Sequence, residues 1–202
     1  MNWLILFVLG VVVLGAGFLA LAIYLVPALF KLGKGESQRP GGVAYAWIDS
    51  FLLPEPGEED MPWSANLKAT VDEARREAER TGKRQFVFLD NTGVTCTNCK
   101  YNERNIFRGE IKKIMLDKYW LVQHYTDEVP AKFYGDGVSN DRREDEADLN
   151  KGFQKQIFGT EQLPLYVALE VTKDALHVRG VYTEGKINDI GGFRKFLSSS
   201  AK

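Results

Sequence analysis

The sequence predicts an α/β domain, a sheet covered by helices, joined to one N-terminal transmembrane helix. Residues 1–30 contain no charged side chain, so all 26 basic and 27 acidic residues of the 202-residue chain lie beyond them. From Ser64 onward, segments with helical periodicity alternate with short apolar runs typical of strands. The chain therefore divides into a transmembrane helix (1–31), a juxtamembrane linker (32–63) and a globular domain (64–202).

The first element is the apolar run from Trp3 to Phe30. It is longer than the roughly 20 residues that a helix needs to cross a bilayer core. A cleaved signal peptide, the alternative, would begin with basic residues and have a shorter apolar region. Basic residues Lys31, Lys34 and Arg39 follow the run. Taken alone, the positive-inside rule would therefore place the C-terminal side in the cytoplasm.

The linker is rich in glycine, proline and charged residues, a composition typical of a tether. Within it, the apolar and aromatic patch Val43–Leu53 is a candidate interfacial helix.

The globular domain is expected to begin with a helix that Ser64 caps and Gly82 ends, with Leu67 and Val71 on its apolar face. The charged stretch Glu128–Asp148 is predicted to be a solvated loop. Strands are expected at Gln85–Leu89, Trp120–Thr126, Leu165–Val171 and Leu176–Tyr182, and further helices at about Cys96–Phe107, Glu110–Lys118, Leu149–Phe158 and Ile187–Ser198.

Both cysteines of the chain lie in one motif, Cys96-Thr97-Asn98-Cys99, where a predicted strand gives way to a helix. The free amides of a helix's first turn stabilise a thiolate and make the first sulfur a nucleophile near neutral pH. A two-residue spacer keeps the second sulfur within disulfide reach. The motif therefore predicts thiol–disulfide exchange that uses the Cys96–Cys99 disulfide and no other cofactor or metal.

The cysteine count and the charge balance also exclude several classes. Two cysteines cannot form a disulfide-stapled scaffold or a four-cysteine zinc site, and a net charge of −1 argues against a nucleic-acid binder. Two interpretations of the pair stay open: half of a metal site completed by His124 or His177, and an inert buried pair. Neither histidine has motif spacing to the cysteines.

Two acidic residues flank the motif. Asp90 stands six residues before Cys96, at the predicted strand end, and Glu103 stands four after Cys99. A buried carboxylate could accept or return the proton of the second thiol, and burial would raise its pKa. On spacing alone, a solvated strand-end Asp and a helix-surface Glu are the simpler interpretation.

Pro164 directly precedes an apolar strand, and proline is tolerated at a strand start on ordinary grounds. A cis Leu163–Pro164 bond would leave the Leu163 backbone free to pair with a bound partner chain. The sequence leaves the isomer open.

Together these residues resemble the thioredoxin superfamily, and within it the C-terminal domain of the membrane protein-disulfide reductase DsbD (thiol:disulfide interchange protein) family. The resemblance covers about residues 64–198, and its local match is Phe86–Glu103. It implies a thioredoxin-like fold, a central mixed sheet flanked by helices. It implies that Cys96 attacks and Cys99 resolves.

The same resemblance places Asp90 and Glu103 at the family's two acidic positions and Pro164 at the superfamily's cis-proline. Thr95 stands where many relatives carry tryptophan. We expect Thr95, Leu163 and Pro164 to contact the substrate.

The implied role is a membrane-anchored protein-disulfide reductase. It would take electrons from a membrane-embedded donor with paired cysteines and pass them to oxidised protein substrates. The implied location is single-pass in the inner or cell membrane with a periplasmic domain, which we prefer to the orientation that Lys31 and Lys34 suggest. The membrane segment contains no cysteine, so the electrons must come from another chain. The chain would then be a split family member, a fragment of a longer product, or a tethered thioredoxin-like protein of another lineage.

Three alternatives to this role stay open. One is reduction of apocytochrome c for haem attachment in cytochrome c biogenesis. Another is an accessory module whose CxxC holds a soft ion such as Cu(I). The last is a structural subunit whose helix packs with a larger membrane protein.

Overall fold

The structure is a computed structural model and describes residues 3–26, 61–134 and 137–202. The chain separates into two compact units, Met1–Glu58 and Glu59–Lys202. The predicted interfacial helix Val43–Leu53, the basic residues after the apolar run and nearly all of the linker lie outside the described residues.

Helix α1 (Trp3–Leu25) is the described element of the first unit. Its 23 residues carry no charge and would extend about 34 Å, which exceeds the thickness of a hydrocarbon core of about 30 Å. Large apolar side chains along it are exposed, Trp3 by 82% and Phe18 by 71%. By length and composition α1 could cross a membrane, and a signal sequence near an N-terminus can have the same length and composition.

The second unit is built on one four-stranded sheet in the order β2-β1-β3-β4. β1 runs parallel to β2, while β3 is antiparallel to both β1 and β4. This mixed sheet, with helices packed against it, confirms the predicted α/β fold class. The strands are β1 (Gln85–Thr92), β2 (Trp120–Tyr125), β3 (Leu165–Val171) and β4 (Leu176–Tyr182).

Successive side chains of a strand point to opposite faces of the sheet. In the central strands β1 and β3, apolar side chains lie on both faces. Phe88 and Tyr166 pack on one face with Phe193, and Val87 and Val167 pack on the other. The helices of this unit are α2 (Leu67–Thr81), α3 (Thr97–Asn105), α4 (Gly109–Lys118), α5 (Asn140–Phe158) and α6 (Ile190–Ser200), with a 3₁₀ turn at Ala131–Phe133.

The start of α2 differs from the prediction. Asn66 caps the helix, since its side chain accepts a hydrogen bond from the Ala69 amide at 2.9 Å. Ser64 instead continues the sheet, where its carbonyl accepts from the Gln123 amide at 2.8 Å. Its backbone is therefore committed to β2 and cannot begin the helix. The predicted end is confirmed, because Gly82 adopts a left-handed φ of 67° that a glycine reaches without strain.

The structure differs most from the predicted fold in the charged stretch Glu128–Asp148, which is not a loop throughout. Ser139 caps α5, and the run that begins at Asp141 forms its first turns. Only Ala147 and Gln154 of its 19 residues are buried, and most of the other residues are polar or charged. The sequence therefore did not indicate a helix in this stretch. A pattern with so narrow an apolar face carries little periodicity.

β1 is also longer than predicted. Asp90, Asn91 and Thr92 continue the ladder opposite residues 123–125 of β2, and Asp90 and Asn91 are also paired with β3. The strand predicted to end at Leu89 therefore extends three residues further, and Asp90 lies inside one of the two central strands.

Candidate active site

The two cysteines form a disulfide at the N-terminus of α3, with their Cα atoms 5.3 Å apart. Cys96 is the N-cap residue of the helix, and its sulfur accepts a hydrogen bond from the Cys99 amide at 3.2 Å. Cys96 is half-buried, whereas Cys99 has no exposed surface. A partner disulfide can therefore reach the Cys96 sulfur, and the helix amides are placed to stabilise negative charge on it.

Asp90 is fully buried in β1, and neither carboxylate oxygen has a hydrogen-bond partner among the described residues. Loss of hydration, together with the nearby negative charge of Glu103, raises the pKa of Asp90 well above its usual range. The solvated alternative for this residue is therefore wrong, because pairing of β1 on both sides places Asp90 in the interior.

Glu103 lies four residues after Cys99, one turn along the same face of α3. Its Oε1 accepts a hydrogen bond from Thr92 Oγ1 at 3.3 Å. Burial of the carboxyl group raises its pKa to about 7, although that hydrogen bond and three nearby cations, Lys132 foremost, pull the pKa down. A group with this pKa exchanges protons near neutral pH.

The Leu163–Pro164 peptide bond is cis. A Cβ built on Gly185, in the loop between β4 and α6, would lie 3.6 Å from Asn98 Nδ2 and 4.0 Å from the Leu163 carbonyl oxygen. The structure therefore brings the segment before β3 close to the CxxC motif. Thr95, the third expected substrate contact, is exposed on the loop directly before Cys96.

Asn102, a residue that the sequence analysis missed, joins α3 to the loop between β4 and α6. Its Nδ2 donates to Tyr166 Oη at 2.8 Å and to the Gly185 carbonyl at 2.7 Å, and its Oδ1 accepts from the Ile187 amide at 3.0 Å. Asn102 is fully buried three residues after Cys99. The sequence offered only a weak signal, a polar residue three positions after Cys99 on the predicted helix.

Asp127 was missed as well. Its carboxylate accepts hydrogen bonds from the Val94 and Thr95 amides and from Thr95 Oγ1, each at 2.9 Å. The available signal was its position just past β2, since parallel strands end at the same edge of a sheet.

The two histidines are placed apart in the fold. His124 is buried in β2 with its Nδ1 3.1 Å from Asn91 Oδ1, and burial lowers its pKa to about 4. His177 is exposed on the edge strand β4. Within residues 3–26, 61–134 and 137–202, no group of three or more His, Cys, Asp or Glu side chains is arranged to hold a metal ion.

No protein-family model and no curated protein matches the sequence. Among solved structures, the chain is similar to a thioredoxin from Thermus thermophilus at 14% identity, covering 67% of this chain and 83% of that one with a TM-score of 0.42. It is similar to an oxidoreductase named DsbH at 13% identity, with 73% and 94% coverage and a TM-score of 0.46. It is also similar to a disulphide isomerase from Xylella fastidiosa Temecula1 at 16% identity, with 75% and 99% coverage and a TM-score of 0.42.

These neighbours are thioredoxin-like oxidoreductases. All three TM-scores are below 0.5, and none of the three proteins is a DsbD.

Proposed function

We propose that the unit Glu59–Lys202 is a thiol–disulfide oxidoreductase of the thioredoxin superfamily that works through Cys96 and Cys99. One observation carries the proposal: the Cys96 sulfur caps α3 and accepts the Cys99 amide hydrogen, while Cys99 is buried. The first thiolate is thereby stabilised and reachable, and the second is shielded from solvent and from partner proteins but lies next to the Cys96 sulfur.

The exchange cycle follows from this asymmetry. In the reduced protein the Cys96 thiolate attacks one sulfur of a partner disulfide, and the other partner sulfur leaves as a thiolate and takes a proton. The Cys99 thiolate then attacks the Cys96 sulfur in the mixed disulfide, which expels the second partner sulfur. The partner gains two electrons and two protons, and this chain keeps the Cys96–Cys99 disulfide.

Cys99 must lose its proton before it can attack, and it is buried. Glu103, one turn along α3 and with a pKa of about 7, is suited to accept that proton. Asp90 interacts electrostatically with Glu103, so the carboxyl pair is best described as one unit that holds or releases a proton. We assign Asp90 and Glu103 to this role, and Thr95, Leu163 and Pro164 to contact with the partner chain.

The finer parts of the proposal concern setting and direction. We propose that α1 anchors the chain in a membrane, that the Glu59–Lys202 unit faces the periplasm, and that the net reaction reduces partner proteins. The electrons would come from a membrane protein with paired cysteines. The support is the apolar length of α1 and the resemblance of Phe86–Glu103 to the DsbD domain.

The first test measures the thiols directly. The full chain, reduced in detergent, is treated with iodoacetamide between pH 5 and 9, and each cysteine is followed by mass spectrometry. We expect Cys96 to react first, with a midpoint below the value of about 8.5 for a free thiol. Cys96→Ser is the matched control, in which Cys99 should stay slow. Equal, slow alkylation of both cysteines at pH 6–7 would contradict the proposal.

The second test identifies the partner. Cys99→Ser cannot resolve a mixed disulfide, so partners should accumulate covalently bound to Cys96 in cells. Capture of a membrane protein with paired cysteines supports the electron-relay role, whereas capture of apocytochrome c assigns the chain to cytochrome c biogenesis. The double variant Cys96→Ser/Cys99→Ser is the control and should trap nothing. A separate Cu(I) titration of the reduced chain tests the metal-binding alternative, which requires stoichiometric binding.

A further inference from the structure

Asp127 lies just beyond the end of β2, beside the loop that leads to Cys96. β1 and β2 are parallel, and the pairing extends past their last residues because the Thr126 amide donates to the Thr92 carbonyl at 3.0 Å. The chains that leave these two strands therefore stay side by side. This places the Asp127 carboxylate against Gly93–Thr95, the three residues before Cys96.

Both oxygens of the Asp127 carboxylate accept hydrogen bonds from this loop. Oδ1 accepts from the Val94 amide at 2.9 Å and from the Glu128 amide at 2.7 Å, and Oδ2 accepts from the amide and hydroxyl of Thr95, each at 2.9 Å. Gly93 permits this approach, since a Cβ there would lie only 2.9 Å from Oδ2. The loop is fitted closely around one side chain.

The same loop passes directly into the nucleophile. The Cys96 amide donates to the Gly93 carbonyl at 3.1 Å, and the Cys96 carbonyl accepts from the Lys100 amide at 3.1 Å as α3 begins. The orientation of Cys96 at the helix end is therefore continuous with the shape of the loop that Asp127 holds.

We propose that Asp127 is a positioning residue for Cys96: its carboxylate holds Gly93–Thr95 so that the Cys96 sulfur meets the first amides of α3. The inference deepens the proposed function and rests on it, because it matters only if Cys96 is the attacking thiol.

A positioning role and a purely electrostatic role of Asp127 predict opposite changes in the pKa of the Cys96 thiol when Asp127 is replaced by a neutral residue. A carboxylate near Cys96 repels a thiolate, so removing its charge alone would lower the thiol pKa. Releasing the loop would instead move the sulfur away from the helix amides and raise the thiol pKa. The sign of the change therefore separates the two effects.

The experiment compares variants of the full chain, reduced in detergent, by the pH midpoint of Cys96 alkylation with iodoacetamide. Asp127→Asn removes the charge and leaves one carbonyl oxygen for four donors. Gly93→Ala keeps the charge but forces the loop from the carboxylate. We expect both variants to raise the midpoint by about 0.5 pH unit. Glu128→Gln is the control and should not shift it, because Glu128 pairs with Arg143 at 2.6 Å and its side chain does not bond the loop.

Slow alkylation of Cys99 reports that a variant is folded, and if Asp127→Asn loses this protection, Gly93→Ala alone decides. A midpoint that falls or stays unchanged in Asp127→Asn, or stays unchanged in Gly93→Ala, would overturn the inference. A wild-type midpoint equal to that of a free thiol would instead refute the proposed function itself.

Discussion

Replacing Glu103 with glutamine should stabilise the oxidised protein at pH 8 and leave its stability unchanged at pH 4. Glu103 is a carboxyl group whose pKa is about 7 in the folded chain, against 4.5 for an ordinary glutamate. Between these values the folded state binds more protons than the unfolded state, so stability falls as the pH rises through this window. Above pH 7 the ionised carboxylate costs the fold about 3 kcal/mol.

The glutamine side chain keeps an oxygen that can accept the bond from Thr92 but carries no charge to desolvate. We therefore expect Glu103→Gln to raise the free energy of unfolding by up to about 3 kcal/mol at pH 8. The gain should disappear at pH 4, where the wild-type carboxyl is protonated in both states. Removing the charge of Glu103 also relieves its repulsion of Asp90, which acts in the same direction.

The assay is urea unfolding of the oxidised full chain in detergent, followed by tryptophan fluorescence at pH 4 and pH 8. Glu79→Gln, an exposed carboxylate on α2, is the matched control and should change stability little at either pH. If Glu103→Gln gives the same stability change at both pH values, or destabilises the chain at pH 8, the carboxyl is not held by burial in the way described.

Three further changes test the local structure in the same urea assay. Asn102→Ala removes three hydrogen bonds of a buried side chain and should cost about 2–4 kcal/mol, whereas the exposed Asn105→Ala should cost less than about 1 kcal/mol; equal costs would contradict the role of Asn102. Gly82→Ala forces a side chain into a left-handed conformation and should destabilise by about 1 kcal/mol. Gly152→Ala, on the exposed surface of α5 with open space around the new methyl group, should stabilise by about 0.5–1 kcal/mol; a loss there would contradict the helix assignment.

The elements predicted well from the sequence are those with strong local signals. The bounds of β3 and β4 were predicted as observed, because β3 is a mostly apolar run and β4 alternates Leu176 and Val178 with polar residues, each between turn residues. The cysteine motif was also placed correctly at a helix start, since it follows the apolar run Gln85–Leu89 within a few residues. α5 was predicted only in its last ten residues, since its first half buries little and reads as a charged loop.

Residues of the candidate site divide in the same way. Cys96, Cys99 and Pro164 could be named from local spacing and from the family resemblance. Asn102 and Asp127 could not, because their partners lie 83 residues and 32 residues away along the chain, as with the Gly185 and Thr95 bonds. Such contacts depend on how the sheet orders its strands.

The sequence alone determined that an uncharged apolar segment precedes a polar α/β domain and that one vicinal thiol pair is available. Both properties are local, because they depend on composition and on spacing within a few residues. Only the tertiary structure decided that Asp90 is buried, that its burial and the charge of Glu103 raise its pKa, and that Asp127 bonds the loop before Cys96. The physical reason is that burial and desolvation arise only when β1 is paired on both sides and covered by helices.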